Sequence, residues 1–142
     1  MHAVGELSPV ETWALLERDP RAQLVDVRTT AEWTFVGVPD LSTLGRQVVM
    51  IEWSQYPSMA RNGEFETQLA SQLTAQGAGA DTPIVFICRS GARSLSAAKA
   101  MAAKGYSRCF NLVGGFEGDL DGERHRGQKN GWRHERLPWV QA

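Results

Sequence analysis

Apolar positions along this chain form two kinds of pattern: short solid runs, and longer stretches in which they recur every three or four residues. The solid runs are residues 23–27 (QLVDV), 47–53 (QVVMIEW), 83–88 (PIVFIC) and 108–113 (RCFNLV). Short, β-branched and without polar alternation, they read as strands buried on both faces. The first periodic stretch opens at Ser8, with Pro9 at the first helical position and Glu11 three residues after the serine, the pattern of a capping box. Val10, Trp13, Ala14, Leu15 and Leu16 form its expected apolar side, and RDPR ends it. In NGEFETQLASQLTAQG, Phe65, Leu69 and Leu73 step by four and a glycine closes the stretch, which predicts an amphipathic helix. An alanine-rich helix is predicted over residues 90–104, stopped by Gly105.

Strands alternating with helices specify an α/β chain, with a mostly parallel sheet covered by helices on both faces. At 142 residues the chain fits one domain, which buries roughly 70% of its unfolded surface without needing a staple. Residues 118–129 (GDLDGERHRGQK) are polar and lack hydrophobic period, so a loop is expected there. Trp132 and Trp139 follow and are expected to dock on the core. No internal repeat or low-complexity segment is visible.

Charge and cysteine content narrow the function classes. Fifteen basic and 16 acidic residues give a formal net charge of -1, which calls for neither nucleic acid nor an anionic membrane as partner. Two cysteines, Cys88 and Cys109, do not make a disulfide framework and fit a reducing compartment. No basic leader with an apolar core opens the sequence, and no apolar stretch approaches membrane-spanning length, so a cytoplasmic location is expected. His2, His125 and His134 have no ligand spacing, and neither a metal nor another cofactor is expected.

The third run delivers Cys88 to the carboxyl end of a strand, where an open α/β sheet places its ligands. Arg89, Ser90, Gly91, Ala92, Arg93 and Ser94 follow. Small residues and a glycine allow backbone N–H groups to converge, and the helix behind adds its positive end, so the loop suits an anion. The same field favours thiolate over thiol, and both arginines reinforce it. A cysteine ending an apolar strand is commonly inert core. Inert core, however, has no use for two arginines and a glycine-containing nest.

The CRSGARS loop resembles the active-site loop of single-domain rhodaneses, sulfurtransferases that carry sulfur as a cysteine persulfide. LVDVRTTAEW (residues 24–33) resembles the family's early aspartate-x-arginine strand, and NLVGGF (residues 111–116) its late double-glycine turn. The GW at Gly131 and the LPW at Leu137 resemble its C-terminal ending. The resemblance implies a rhodanese-like five-stranded, mostly parallel sheet. It also implies transfer of sulfur from a small anionic donor such as thiosulfate, through Cys88, to a thiol, cyanide or protein acceptor. On this reading Arg89 and Arg93 hold the donor's sulfonate, residues 90–94 complete the substrate loop, and Asp26 and Arg28 support it by tying strands and loops together. A persulfide relay serving one protein partner is the alternative. A phosphatase or arsenate reductase fits less well, because only four residues separate Cys88 from Arg93 and phosphatase loops are longer by one.

Two departures stand out. FVGVPDLS replaces the family's histidine-bearing turn, with Asp40 at an expected glycine, and residues 118–129 look like an insertion between the double glycine and Trp132. Either a rim element for a partner or a solvated loop would account for the insertion.

Overall fold

The structure is a computed structural model that describes residues 3–55 and 57–141. Its centre is a five-stranded sheet in the order β1 (Gly5–Leu7), β8 (Cys109–Leu112), β7 (Ile84–Ile87), β2 (Gln23–Asp26) and β4 (Val49–Met50). Every neighbouring pair is parallel. Between them run α1 (Pro9–Arg18), α2 (Thr30–Phe35), α3 (Phe65–Ala75) and α4 (Ala92–Ala103). Two small antiparallel pairs complete the fold: β3 (Val38–Pro39) with β9 (Trp139–Val140), and β5 (Ser54–Gln55) with β6 (Ala60–Arg61).

All four residues of β7 are buried, because successive side chains face opposite layers and both layers are covered. Ile84 and Phe86 pack with Phe65, Leu69 and Leu73 of α3 and with Ala97, Ala98 and Met101 of α4. Val85 and Ile87 face Leu15 and Leu16 of α1, together with Phe116 and Trp132 from the tail. Tail residues thus do part of the work of a helix on the second face. Small alanines on α4 let the helix lie close to the sheet, which carries its N-terminus to the end of β7.

Several elements differ from the sequence expectation. The capping box of α1 forms as predicted, but Val10 is exposed, and Thr12 takes the buried position with its hydroxyl on the Ser8 carbonyl at 2.9 Å. The predicted strand 47–53 is regular only at Val49–Met50; beyond it Ile51 and Trp53 still donate to the Asp26 and Val27 carbonyls, as a twisting sheet edge does. The cysteine-loop helix begins at Ala92 rather than Ser90, because Gly91 takes φ 129°, outside the helical region. Trp132 is fully buried, whereas Trp139 lies at the rim, 37% exposed, with its ring edge-on to Phe116. Strand β1 and helix α2 have no counterpart in the apolar runs.

Candidate active site

Cys88 is the first residue past β7 and is only 2% exposed. Gly91 turns the chain back so that its N–H donates to the Cys88 Sγ at 3.1 Å. The first-turn N–H groups of Ala92, Arg93 and Ser94 have no partner within α4 and add the positive end of the helix. Ser94 is fully buried, its Oγ 3.1 Å from the Cys88 Sγ and 2.6 Å from Asn111 Oδ1. Asn111, from β8, also donates through Nδ2 to the Gly91 carbonyl at 3.1 Å. The loop therefore closes around the sulfur from both the helix and the neighbouring strand.

The double glycine closes it from the other side. Phe116 donates to the Cys88 carbonyl at 2.8 Å, and Glu117 and Gly118 donate to the Arg89 carbonyl at 3.0 and 3.2 Å. Gly115 sits at φ +64°, and a Cβ there would lie 2.5 Å from the Cys88 carbonyl oxygen. Gly115→Ala should therefore cost about 2 kcal/mol or more of stability and displace the Cys88 loop. Urea unfolding measures the first effect and alkylation of Cys88 the second.

The two loop arginines part company. Arg89 is exposed and Ser90 half-buried, so this cation remains available at the mouth. Arg93 is not free: its guanidinium forks onto Glu32, Nη1 to Oε1 at 2.7 Å and Nη2 to Oε2 at 2.9 Å. Glu32 is placed by a second capping box, in which Thr29 caps α2 and the Glu32 carboxylate returns to the Thr29 N–H. Burial pushes the Glu32 carboxyl up, but the Arg93 fork and the Thr29 hydrogen bonds outweigh it and hold the group at about 2. A carboxyl depressed from 4.5 to about 2 stabilises the fold fully above the higher value and loses that stabilisation as pH falls towards the lower. Glu32→Gln should destabilise the protein by about 2 kcal/mol at neutral pH and flatten its acid limb between those two values. Unfolding midpoints across that pH range test this; an unchanged acid limb would count against it.

Asp26 and Arg28 form an ion pair with both side chains fully buried. Arg28 Nε and Nη2 meet the carboxylate at 2.7 to 3.1 Å, and Nη2 also donates to the Gly37 carbonyl at 2.7 Å. The guanidinium lies 4.3 Å from the centre of the Phe116 ring. Through Phe116, whose N–H holds the Cys88 carbonyl, the pair braces the floor of the site. Cys109, by contrast, opens β8 on the α3–α4 side of the sheet, and burial pushes its thiol up to about 11.

Residues 118–129 contain no helix or strand, yet hydrogen bonds close the excursion. The Asn130 side chain binds the Asp119 N–H and carboxylate, Asp121 caps the Glu123 and His125 N–H groups, and Arg126 reaches the Gly118 carbonyl at 2.7 Å. No group of three or more His, Cys, Asp or Glu residues arranged for a metal occurs among the described residues, and His2 lies outside them. A groove of about 670 Å³ runs beside β4 and α3, lined by Thr30, Trp33, Glu52 and Gln68 among others, and no residue of the Cys88 loop lines it.

Two residues of the site escape the sequence reading. Glu32 had a signal, since Thr29-x-x-Glu32 has the capping-box spacing of Ser8-x-x-Glu11. Asn111 had a fainter one, a single amide inside an apolar strand.

Comparison with known proteins agrees with this geometry. A family model described as the rhodanese-like domain matches residues 8–120. The crystal structure of Rv0390 from M. tuberculosis superposes with a TM-score of 0.87 and 44% identity over the whole of both chains. The uncharacterized protein RP600 of Rickettsia prowazekii is 35% identical over 136 residues, 96% of this chain and 97% of that protein. The polysulfide-sulfur transferase homodimer of Wolinella succinogenes shares the fold, with a TM-score of 0.59 at 22% identity, over 98% of this chain and 80% of that one. With a parallel sheet of this order and a cysteine loop at the carboxyl end of its central strand, the chain belongs to the rhodanese-like domain family.

Proposed function

We propose that the protein is a sulfurtransferase of one domain, residues 1–142, in which Cys88 carries sulfane sulfur as a persulfide. The observation that carries this reading is the Cys88 Sγ itself, held at the mouth of α4 by the Gly91 N–H and Ser94 Oγ. With thiosulfate as donor, the Cys88 thiolate attacks the outer sulfur, the S–S bond breaks, and sulfite leaves with the bonding pair. A thiophilic acceptor then takes the outer sulfur and returns the thiolate, which is covalent catalysis in two half-reactions. Arg89, exposed at the mouth, meets the donor's sulfonate and the leaving sulfite. Residues 90–94 supply the backbone around the sulfur, with the Arg93 fork to Glu32 fixing the start of α4. A cytoplasmic site of action fits the two free cysteines, and no helix among the described residues is long and apolar enough to cross a membrane.

Cys88 is buried and Arg93 is occupied by Glu32, which favours a second reading: a relay that hands its sulfur to a protein thiol and turns thiosulfate over slowly. On that reading the 118–129 excursion, whose base binds the Arg89 carbonyl through Gly118, is the rim that receives the partner. Intact mass after incubation with thiosulfate tests both, with one added sulfur expected on the protein. Rapid release to cyanide then supports the enzyme, slow release the relay, and a protein that gains no sulfur overturns both.

A further inference from the structure

We propose that Asn111 is a positioning residue that controls the ionisation of Cys88 through the single hydroxyl hydrogen of Ser94. The inference deepens the sulfurtransferase reading, and it rests on counting hydrogens around one buried oxygen. Ser94 Oγ lies 2.6 Å from Asn111 Oδ1, 3.1 Å from the Cys88 Sγ and 3.2 Å from the Gly91 carbonyl. An amide oxygen and a backbone carbonyl only accept. The side chain of Asn111 has its orientation fixed, because Nδ2 donates to that same carbonyl at 3.1 Å and a flipped amide would set two acceptors against each other. With Cys88 as thiolate, one hydroxyl hydrogen therefore faces three acceptors, and Asn111 Oδ1 is the nearest.

In the thiol state the hydrogens run in one direction: Cys88 S–H donates to Ser94 Oγ, and Ser94 O–H donates to Asn111 Oδ1. When Cys88 loses its proton to solvent, lone pairs on sulfur and oxygen face each other. The Ser94 hydroxyl must then swing to the sulfur and leave Asn111 Oδ1 without its donor in a buried setting, which is costly. Asn111 thus competes with the sulfur for the one hydrogen of Ser94. Once an outer sulfur is attached, the negative charge moves to that atom, and Ser94 can return its hydrogen to Asn111. The loaded state regains the hydrogen bond that the free thiolate gives up.

The charged groups on the elements packed around the Cys88 loop do not take this role. Arg89 and Arg93 flank it on its own loop and helix, Glu32 of α2 is forked to Arg93, the Asp26–Arg28 pair lies behind Phe116, and the Glu117 backbone follows on the Arg89 carbonyl. Among the described residues, only the Ser94–Asn111 pair reaches the sulfur through a hydrogen that can be redirected.

The test is a double-mutant cycle read by the pH profile of Cys88 alkylation with iodoacetamide, which needs no sulfur donor and so stands apart from the question of sulfur transfer. Asn111→Leu should lower the alkylation midpoint by about one pH unit, a tenfold faster reaction at a fixed pH below it. Ser94→Ala, by removing the donor, should raise the midpoint. In the Ser94→Ala background, Asn111→Leu should have no further effect, because its influence passes through the missing hydroxyl. An equal shift in both backgrounds, or no shift in the single variant, overturns the proposal. Should Asn111→Leu fail to fold, the unsubstituted protein gives the answer by infrared difference against Cys88→Ala. A lowered S–H stretching frequency shows the thiol donating to Ser94, and a free-thiol frequency overturns it.

Discussion

Cys88→Ala should leave a folded protein that gains no sulfur from thiosulfate and whose cyanide-dependent turnover falls at least about a thousandfold. The fold survives because the substitution removes one heavy atom just past the end of β7 and leaves Ile84, Val85, Phe86 and Ile87 in both layers of the core. The unmet Gly91 N–H and the small void together cost about 1 kcal/mol. The reaction is lost because the bond to the transferred sulfur has no other atom on which to form. Cys109 offers no substitute: it is 1% exposed, and burial pushes its thiol to about 11, so its thiolate is scarce at neutral pH. Cys109→Ala should accordingly keep both sulfur uptake and turnover. Intact mass separates the two variants, and initial rates at varied donor and acceptor should give the parallel lines of a ping-pong scheme. Sulfur uptake that persists in Cys88→Ala and disappears in Cys109→Ala would sink the assignment.

The parts of this site that could be read in the sequence are those fixed by local rules. Strand β7 announced itself because a strand buried on both faces must be apolar throughout, and the Cys88 loop because a glycine and small residues are needed where backbone N–H groups converge. The capping box at Ser8 fixed the start of α1 for the same reason, since its two hydrogen bonds are made within four residues. What stayed hidden depends on contacts between segments far apart in the chain. Arg93 looked like a ligand for a sulfonate, but Glu32, 61 residues away, occupies its guanidinium. Asn111 reaches Ser94 across 17 residues only because β8 lies beside β7. Strand β1 is three residues long, and its place at the sheet edge is decided by pairing with β8 rather than by its own pattern. Residues 118–129 carry no helix or strand, and polar side chains among them bind the segment's own backbone, which composition alone does not reveal.

Arg28→Met should destabilise the protein by about 3 to 5 kcal/mol. The size follows from burial: both partners of the Asp26–Arg28 pair are fully inaccessible, so the variant leaves a carboxylate sealed in the core with only the residue 28 backbone N–H against it. It also strips the Gly37 carbonyl of its donor and removes the cation from the Phe116 ring. The companion variant Asp26→Leu strands a buried guanidinium instead and should cost a similar amount. The double substitution Asp26→Leu/Arg28→Met removes both charges and should recover most of the loss, because the pair's attraction largely offsets its desolvation. About 1 to 2 kcal/mol should remain, from the unpaired Gly37 carbonyl and imperfect repacking against Phe116. Urea unfolding of the four proteins gives the coupling directly, and additive losses in the double variant would show that the pair is not one electrostatic unit. Alkylation of Cys88 in the same proteins extends the measurement to the site. Phe116 ties the pair to the Cys88 carbonyl, so the rate should change with Arg28→Met and return towards the original in the double variant.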